Sequence, residues 1–275
     1  MVLIGKQITS PGDPLQPVAM DKLYKAIINP NSEVAILQRR LQAIKVLDLQ
    51  QYRKLKTGLP YIVCAQFQPK IRRKENFLFT ERFIVDLDHL QAADLDIITL
   101  KNQLKQDPRI ELLFTSPSGD GLKVFFCLSE KISDSAYYAI FYKSFCLKWA
   151  AQYQLGAVID TKTNDVTRCC FASHDTEAYY NPNPEKIEAA QYMPEESSLA
   201  FDQFMKTLQT EEKTITEEQR KVEKPSDADA NIPDDLLNSI KQKIGMRVKT
   251  PQAKMYEQPE QLDSLMQEIT EQVAQ

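Results

Sequence analysis

Two carboxylates stand two residues apart in Phe83-Ile-Val-Asp86-Leu-Asp88, a run whose apolar and β-branched content predicts a strand. Side chains alternate along a strand, so Phe83, Val85 and Leu87 share one face while Ile84, Asp86 and Asp88 share the other. With the apolar set packed on helices, both carboxylates project together from the opposite, open face. Carboxylates that close repel unless a cation lies between them. Hard oxygen ligands suit Mg²⁺ or Mn²⁺. The pair reads either as part of a divalent-metal site or as two surface acids at a strand end.

Ser116-Pro-Ser-Gly-Asp-Gly121 is a turn by its local composition, and the strands expected on either side make 109–128 a β-hairpin. Leu122, Val124, Phe126 and Leu128 face one way, which brings Lys123 out on the carboxylate face. A turn holding Ser118, Gly119 and Gly121 exposes backbone N–H groups, and a nearby lysine adds a point charge; together these suit phosphate. The plainer alternative is a hairpin whose glycine supplies a positive φ, with a surface lysine. A third acid, Asp160, ends Ala157-Val-Ile-Asp160, and Arg168 follows eight residues later at the start of another expected strand. Arg168 either approaches a nucleotide or phosphate or makes a structural salt bridge. Two acids on one strand, a phosphate-suited turn and a third acid at a neighbouring strand end suggest a nucleotidyl-transfer site, where metals about 3.5–4 Å apart clamp the reacting oxygens. Lys70, Arg72, Arg73 and Lys74 lie just before the acid-bearing strand and either grip a nucleic-acid backbone or form a solvated loop.

These residues need elements to position them. Asn31 or Ser32 can cap a helix to about Leu47, and Asp48 can cap another ending at Lys56-Thr57-Gly58. Tyr61–Phe67 reads as a strand, 94–106 as a helix ended by Asp107-Pro108, 134–154 as a long aromatic helix and Thr167–Ser173 as a strand. The order β-α-β-β-α-β is the ferredoxin-like pattern, an α+β fold. The aromatic residues of the 134–154 helix stand at core spacing, and Cys169-Cys170 carry no assigned chemistry.

Composition bounds the rest. The chain has 275 residues, 43% hydrophobic and 26% charged, which excludes collagen-like, wholly disordered and disulfide-scaffold classes. No run is long enough for a transmembrane helix, no signal peptide is expected, and five cysteines without a CxxC pair point to a reducing cytoplasm. The net charge of −4 divides unevenly, +6 over residues 1–150 and −10 over 151–275, so the first half mildly favours nucleic acid. Only Phe201, Phe204 and Tyr256 of the aromatics fall after residue 200. The folded domain is therefore expected at 1–195, its motif-bearing core at about 60–180. An acidic extension at 196–275 is expected to hold a helix over Phe201–Leu208, a linker at 210–232 and amphipathic helices at 233–244 and 259–273.

The motifs Phe83-Ile-Val-Asp-Leu-Asp-His89, Ser118-Gly-Asp-Gly-Leu-Lys123 and Val158-Ile-Asp160 resemble, in order, motifs I, II and III of the archaeo-eukaryotic primase (primase-polymerase) superfamily. Leu55-Lys-Thr-Gly-Leu-Pro60, Thr115-Ser-Pro-Ser-Gly-Asp-Gly-Leu-Lys123 and Arg168-Cys-Cys-Phe-Ala-Ser-His-Asp175 make the chain similar to the VirE N-terminal-domain-like group of bacterial mobile-element replication proteins. The resemblance covers about 50–185. It implies an RRM-like catalytic core with an N-terminal α/β unit. It also implies divalent metals held by Asp86, Asp88 and Asp160, and an incoming triphosphate met by Ser118 and position 123. The superfamily has His where this chain has Lys123. The implied activity is two-metal joining of nucleotides on a DNA template, in a mobile element or a defence system, with a helicase or other replication protein as a partner through the C-terminal helices. The alternative is an inactive primase-fold module that binds nucleic acid or nucleotide in a larger complex.

Overall fold

The two longest strands, β5 (Phe77–Asp88) and β7 (Gly121–Ile132), pair antiparallel along most of their length and carry the acid and lysine motifs. The computed structural model describes residues 1–29, 32–45, 47–162, 164–194 and 198–223. In it β5 and β7 form the centre of a five-stranded sheet of order β4-β5-β7-β6-β9, with β4 (Gln66–Phe67), β6 (Ile110–Thr115) and β9 (Tyr179–Tyr180). Both β5 and β6 run antiparallel to β7 and so parallel to each other, joined through α4 (Ile97–Leu104). The 109–128 hairpin forms as expected, with β7 extended to Ile132. The fold is mixed α+β with antiparallel sheets.

Strand alternation divides the side chains as expected. Phe83, Val85, Leu87, Leu122, Val124 and Phe126 are buried against α5 (Ser135–Tyr153), the long aromatic helix. Phe83 lies 4.8 Å from the Phe145 ring and 5.2 Å from that of Phe141, edge to face in both cases. Burying each such ring stabilises by roughly 1.5–3 kcal/mol, with a further increment for the edge-to-face geometry.

The opposite face is not open. A second, four-stranded sheet covers it, of order β2-β1-β3-β8, comprising β1 (Val2–Gly5), β2 (Gln16–Val18), β3 (Tyr61–Val63) and β8 (Cys169–Phe171). Val2, Ile62 and Cys170 from this sheet, with Met20, Leu23 and Ile27 of α1 (Met20–Ile28), form one buried cluster with Ile84, Leu112, Phe114 and Phe125. The signal for this roof was in the residues: Ile84, Phe125 and Phe114 are too apolar to face water. A bulge between Ile110 and Leu112 lets β6 serve both layers, with Ile110 buried on the α5 side and Leu112 under the roof.

Three expectations change with the second sheet. Tyr61–Phe67 is not one strand but two, β3 in the roof and β4 on the motif sheet. Thr167–Ser173 contributes β8 to the roof and not the fourth strand of a ferredoxin-like sheet. Beside β5 stands instead the segment around Ile159, which bridges Leu87; Asp88 N–H donates to Val158 O at 2.9 Å and Asp160 N–H to Asp86 O at 3.0 Å. The β-α-β-β-α-β order is present along the chain as β5-α4-β6-β7-α5-β8, but its fourth strand pairs in the other sheet.

Towards the N-terminus, α2 (Ser32–Lys45) and α3 (Leu49–Lys56) form where expected, and Asp48 Oδ1 accepts from Gln51 N–H at 2.9 Å as the cap of α3. Towards the C-terminus, α6 (Ser198–Glu223) runs on through the first part of the expected 210–232 linker. Leu208 and Ile215 are buried, Glu212 pairs with Lys143 at 2.8 Å, and Gln219 donates to Ile159 O at 2.6 Å. Phe204, Leu208 and Ile215 recur at helical spacing, and that stripe outweighs the charged composition. α6 is thus packed against α5 as far as Ile215. The amphipathic helices expected at 233–244 and 259–273 lie outside the described residues. No helix among those described is long and apolar enough to cross a membrane.

Asp107, just beyond α4, fastens that end of the sheet to α5. Its carboxylate accepts from Arg109 Nη2 at 2.6 Å, Trp149 Nε1 at 3.1 Å and the Tyr153 hydroxyl at 3.0 Å. Burial pushes its carboxyl up, but the bonds from Arg109 and Trp149 prevail and hold it below the usual range. Asp107→Asn should cost about 2 kcal/mol in urea unfolding at pH 7, the scale of hydrogen bonds to a charged group. A depressed folded-state value places this stability above the unfolded pKa of about 3.9 and removes it as pH falls through the lower folded value. The gap between wild type and variant should therefore close below about pH 4.

Candidate active site

Register alone brings the sequence motifs together. In the β5–β7 ladder Asp86 stands opposite Lys123 and Asp88 opposite Gly121. The backbone bonds from 158–160 to β5 deliver Asp160 to the same end. One carboxylate oxygen from each of Asp86, Asp88 and Asp160 lies within 4.8 Å of the others. Asp86 is buried, while Asp88 and Asp160 are partly exposed.

Two cations hold this cluster. Lys123 Nζ lies 3.1 Å from Asp86 Oδ1 and 3.3 Å from Asp88 Oδ1. Arg168 Nη2 bonds Asp86 Oδ2 and also Asp160 Oδ2, the latter at 3.1 Å. Burial disfavours the charged forms of Lys123 and Arg168, but their carboxylate partners prevail and raise both above their ordinary values. Burial likewise pushes Asp88 up, yet Lys123 holds it below the carboxylate range. Of the two alternatives the sequence offered for Arg168, the salt bridge is present, and it lies within the carboxylate cluster.

Gly121 is required by proximity: a Cβ there would stand 2.5 Å from Leu87 O and 3.0 Å from Asp88 Oδ1. Gly119 is required by conformation, with φ +75°. The turn amides are less available than the sequence implied. Gly119 N–H donates to Ser116 O at 2.9 Å and Asp120 N–H to Ser118 Oγ at 3.4 Å. Asp120 is itself fixed, by Lys45 Nζ at 3.1 Å and Gln91 N–H at 2.9 Å. What the turn offers a phosphate is chiefly the Ser118 hydroxyl, 2.9 Å from that of Ser116, and the adjoining Lys123.

The basic run near residue 70 does not form one stripe. Arg72 donates to Thr167 O at 3.3 Å and lies over the Tyr61 ring, bracing the segment that carries Arg168. Arg73 Nε reaches Pro11 O at 3.3 Å, while Lys70 and Lys74 are exposed. His174 and Asp175 also brace the fold: Gln38 bonds both the N–H and the C=O of His174, and Asp175 pairs with buried Lys101 at 2.7 Å.

Sequence reasoning missed Lys56, at the end of α3. It lies near enough to Lys123, Asp88 and Asp86 to feel their charges. Its signal is the motif Leu55-Lys-Thr-Gly-Leu-Pro60, which marks the resemblance without giving its lysine a role.

The donor set fits a divalent ion: three hard carboxylate oxygens converge, and buried Asp86 Oδ1 accepts no well-directed hydrogen bond. Residues 54–180 match the family model described as BT4734-like, N-terminal domain. That segment contains all three carboxylates, the turn, Lys56, Lys123 and Arg168, the residues on which the primase resemblance rests. Among solved structures, the AEP domain of the cyanophage S-2L primase-polymerase is similar at 9% identity and a TM-score of 0.35, over 70% of this chain and 86% of that one. The polymerase domain of Mycobacterium tuberculosis ligase D in complex with DNA is similar at 14% identity and a TM-score of 0.29, over 57% of this chain and 62% of that one. No curated protein matches the chain in sequence.

Because its ammonium stands between Asp86 and Asp88, Lys123 must compete with any metal there. Lys123→Ala should tighten Mn²⁺ binding about tenfold in isothermal titration, about 1.4 kcal/mol. Unchanged or weaker binding would show that the lysine does not occupy the metal's place.

Proposed function

We propose that the chain is a primase-polymerase-type nucleotidyltransferase that joins nucleotides on a DNA template. The observation that carries this reading is the convergence of Asp86, Asp88 and Asp160 beside the 116–121 turn, on elements far apart in sequence. The three carboxylates would hold Mg²⁺ or Mn²⁺. When bound, such ions lower the pKa of an attacking 3′-hydroxyl and neutralise charge on a triphosphate. Lys123 and the Ser118 hydroxyl would orient the triphosphate, and Arg168 would keep Asp86 and Asp160 aimed at one point while meeting phosphate charge. Exposed Lys70, Arg73 and Lys74 would steer template backbone by charge. In this reading the protein acts in the cytoplasm, in replication of a mobile element or in a defence system, with a helicase or similar protein as partner.

One observation favours a second reading, a primase-fold module that binds nucleotide or nucleic acid without catalysis. Lys123 and Arg168 between them already pair with all three carboxylates, so the cluster is neutralised in large part from within. Primer extension with Mn²⁺ separates the two readings. Asp88→Asn/Asp160→Asn is the informative variant, because both side chains are partly exposed and Asp86 keeps its two cations. Under the catalytic reading wild type extends a primed template and the double variant loses at least a hundredfold in rate. Nucleotide binding without extension by wild type would establish the binding module instead.

A further inference from the structure

We infer that Lys56, from outside the three motifs, forms with Ser118 and Lys123 a subsite for a polyphosphate chain. The inference rests on the nucleotide reading of the site and assigns it a further residue.

Tyr52 and Lys56 are one helical turn apart on α3 and face the site together. Tyr52 is buried in one cluster with Ile44 of α2, whose neighbour Lys45 pairs with Asp120 of the turn, which brings α3 near Ser118. Lys56 lies between two aromatic rings. Its ammonium lies 5.7 Å from the centroid of the Tyr52 ring and 5.4 Å from that of Phe171 in β8. Among the described residues no carboxylate lies within ion-pair distance of it, although Asp86 and Asp88 are close enough to act on its charge. Two aromatic faces thus hold the stem and head of a lysine beside a carboxylate site without giving it an acid. Burial, with help from Lys123, pulls its pKa down against the opposing pull of Asp88 and Asp86. A cation kept in place under those conditions fits an anion that the protein itself does not supply.

Charge decides which anion. Asp86, Asp88 and Asp160 are balanced by Lys123, Arg168 and Lys56. Two divalent ions at the carboxylates then add four positive charges, of which a single phosphate, at about −2, compensates only half. A triphosphate supplies about four negative charges and can reach cations on α3 and β7 at once.

Inorganic tripolyphosphate and a deoxynucleoside triphosphate, each titrated with Mn²⁺ into the full chain, test this. Lys56→Met keeps the apolar stem between Tyr52 and Phe171 and should leave the melting temperature unchanged. It should weaken both ligands at least tenfold. Lys56→Arg should keep most of the affinity. Lys54→Met, which removes an equal charge from an exposed position on the same helix, should change it less than twofold. Equal affinity in wild type and Lys56→Met, equal losses in Lys54→Met and Lys56→Met, or no tripolyphosphate binding by wild type would each overturn the subsite. Primer extension run in parallel keeps the two conclusions apart. Loss of binding in Lys56→Met with no extension by wild type retains the subsite and removes the catalytic reading. Extension by wild type with unaltered binding in Lys56→Met does the reverse.

Discussion

The pairing of buried Asp86 with Lys123 on one side and Arg168 on the other is the contact on which the rest of the site depends. A carboxylate taken out of water costs several kcal/mol unless cations meet it at good geometry. Lys123 meets it from the neighbouring strand, by register. Arg168 meets it from the segment that opens β8, in the other sheet. The ion-paired triad therefore joins the two layers at their rim, where the apolar cluster between them gives way to polar groups.

That placement explains why the roof exists. An uncovered motif sheet would expose Ile84, Leu112, Phe114 and Phe125 together with the acids. Covering the apolar part with β1, β3, β8 and α1 confines solvent to the end of β5, where Asp88 and Asp160 remain partly accessible. Within that narrowed opening the effective dielectric falls and each charge counts for more. Two cations bonded to three acids keep the arrangement stable without metal, while the carboxylates stay close enough to share an ion.

The helices packed around this rim are braced to it at several points. Lys45 of α2 fixes Asp120 in the turn, Gln38 of the same helix holds the backbone of His174, and Tyr52 of α3 packs with Ile44 of α2. On the far side Gln219 of α6 bonds the carbonyl of Ile159, the residue before Asp160. Elements that look peripheral in order along the chain thus set the positions of the turn and of the third acid.

Short-range rules account for everything the residues determined alone. Alternation put Asp86, Asp88 and Lys123 on one face, turn composition made the 109–128 hairpin, a capping residue marked α3, and aromatic and apolar content marked α5. The resemblance of the motifs selected Asp160 from among many acids. Tertiary structure decided the rest, because it depends on contacts between distant segments. Tyr61–Val63 and Cys169–Phe171 read as strands but gave no sign that they pair with each other and with Val2–Gly5, since a three-residue strand has too little pattern to specify a partner. The charged stretch after residue 210 hid a helix, because Leu208 and Ile215 signal burial only when α5 is there to receive them. Lys56 was an ordinary lysine at a helix end until the packing of α3 against α2 and β8 set its ammonium between two aromatic rings, near enough to the carboxylates to feel their charge.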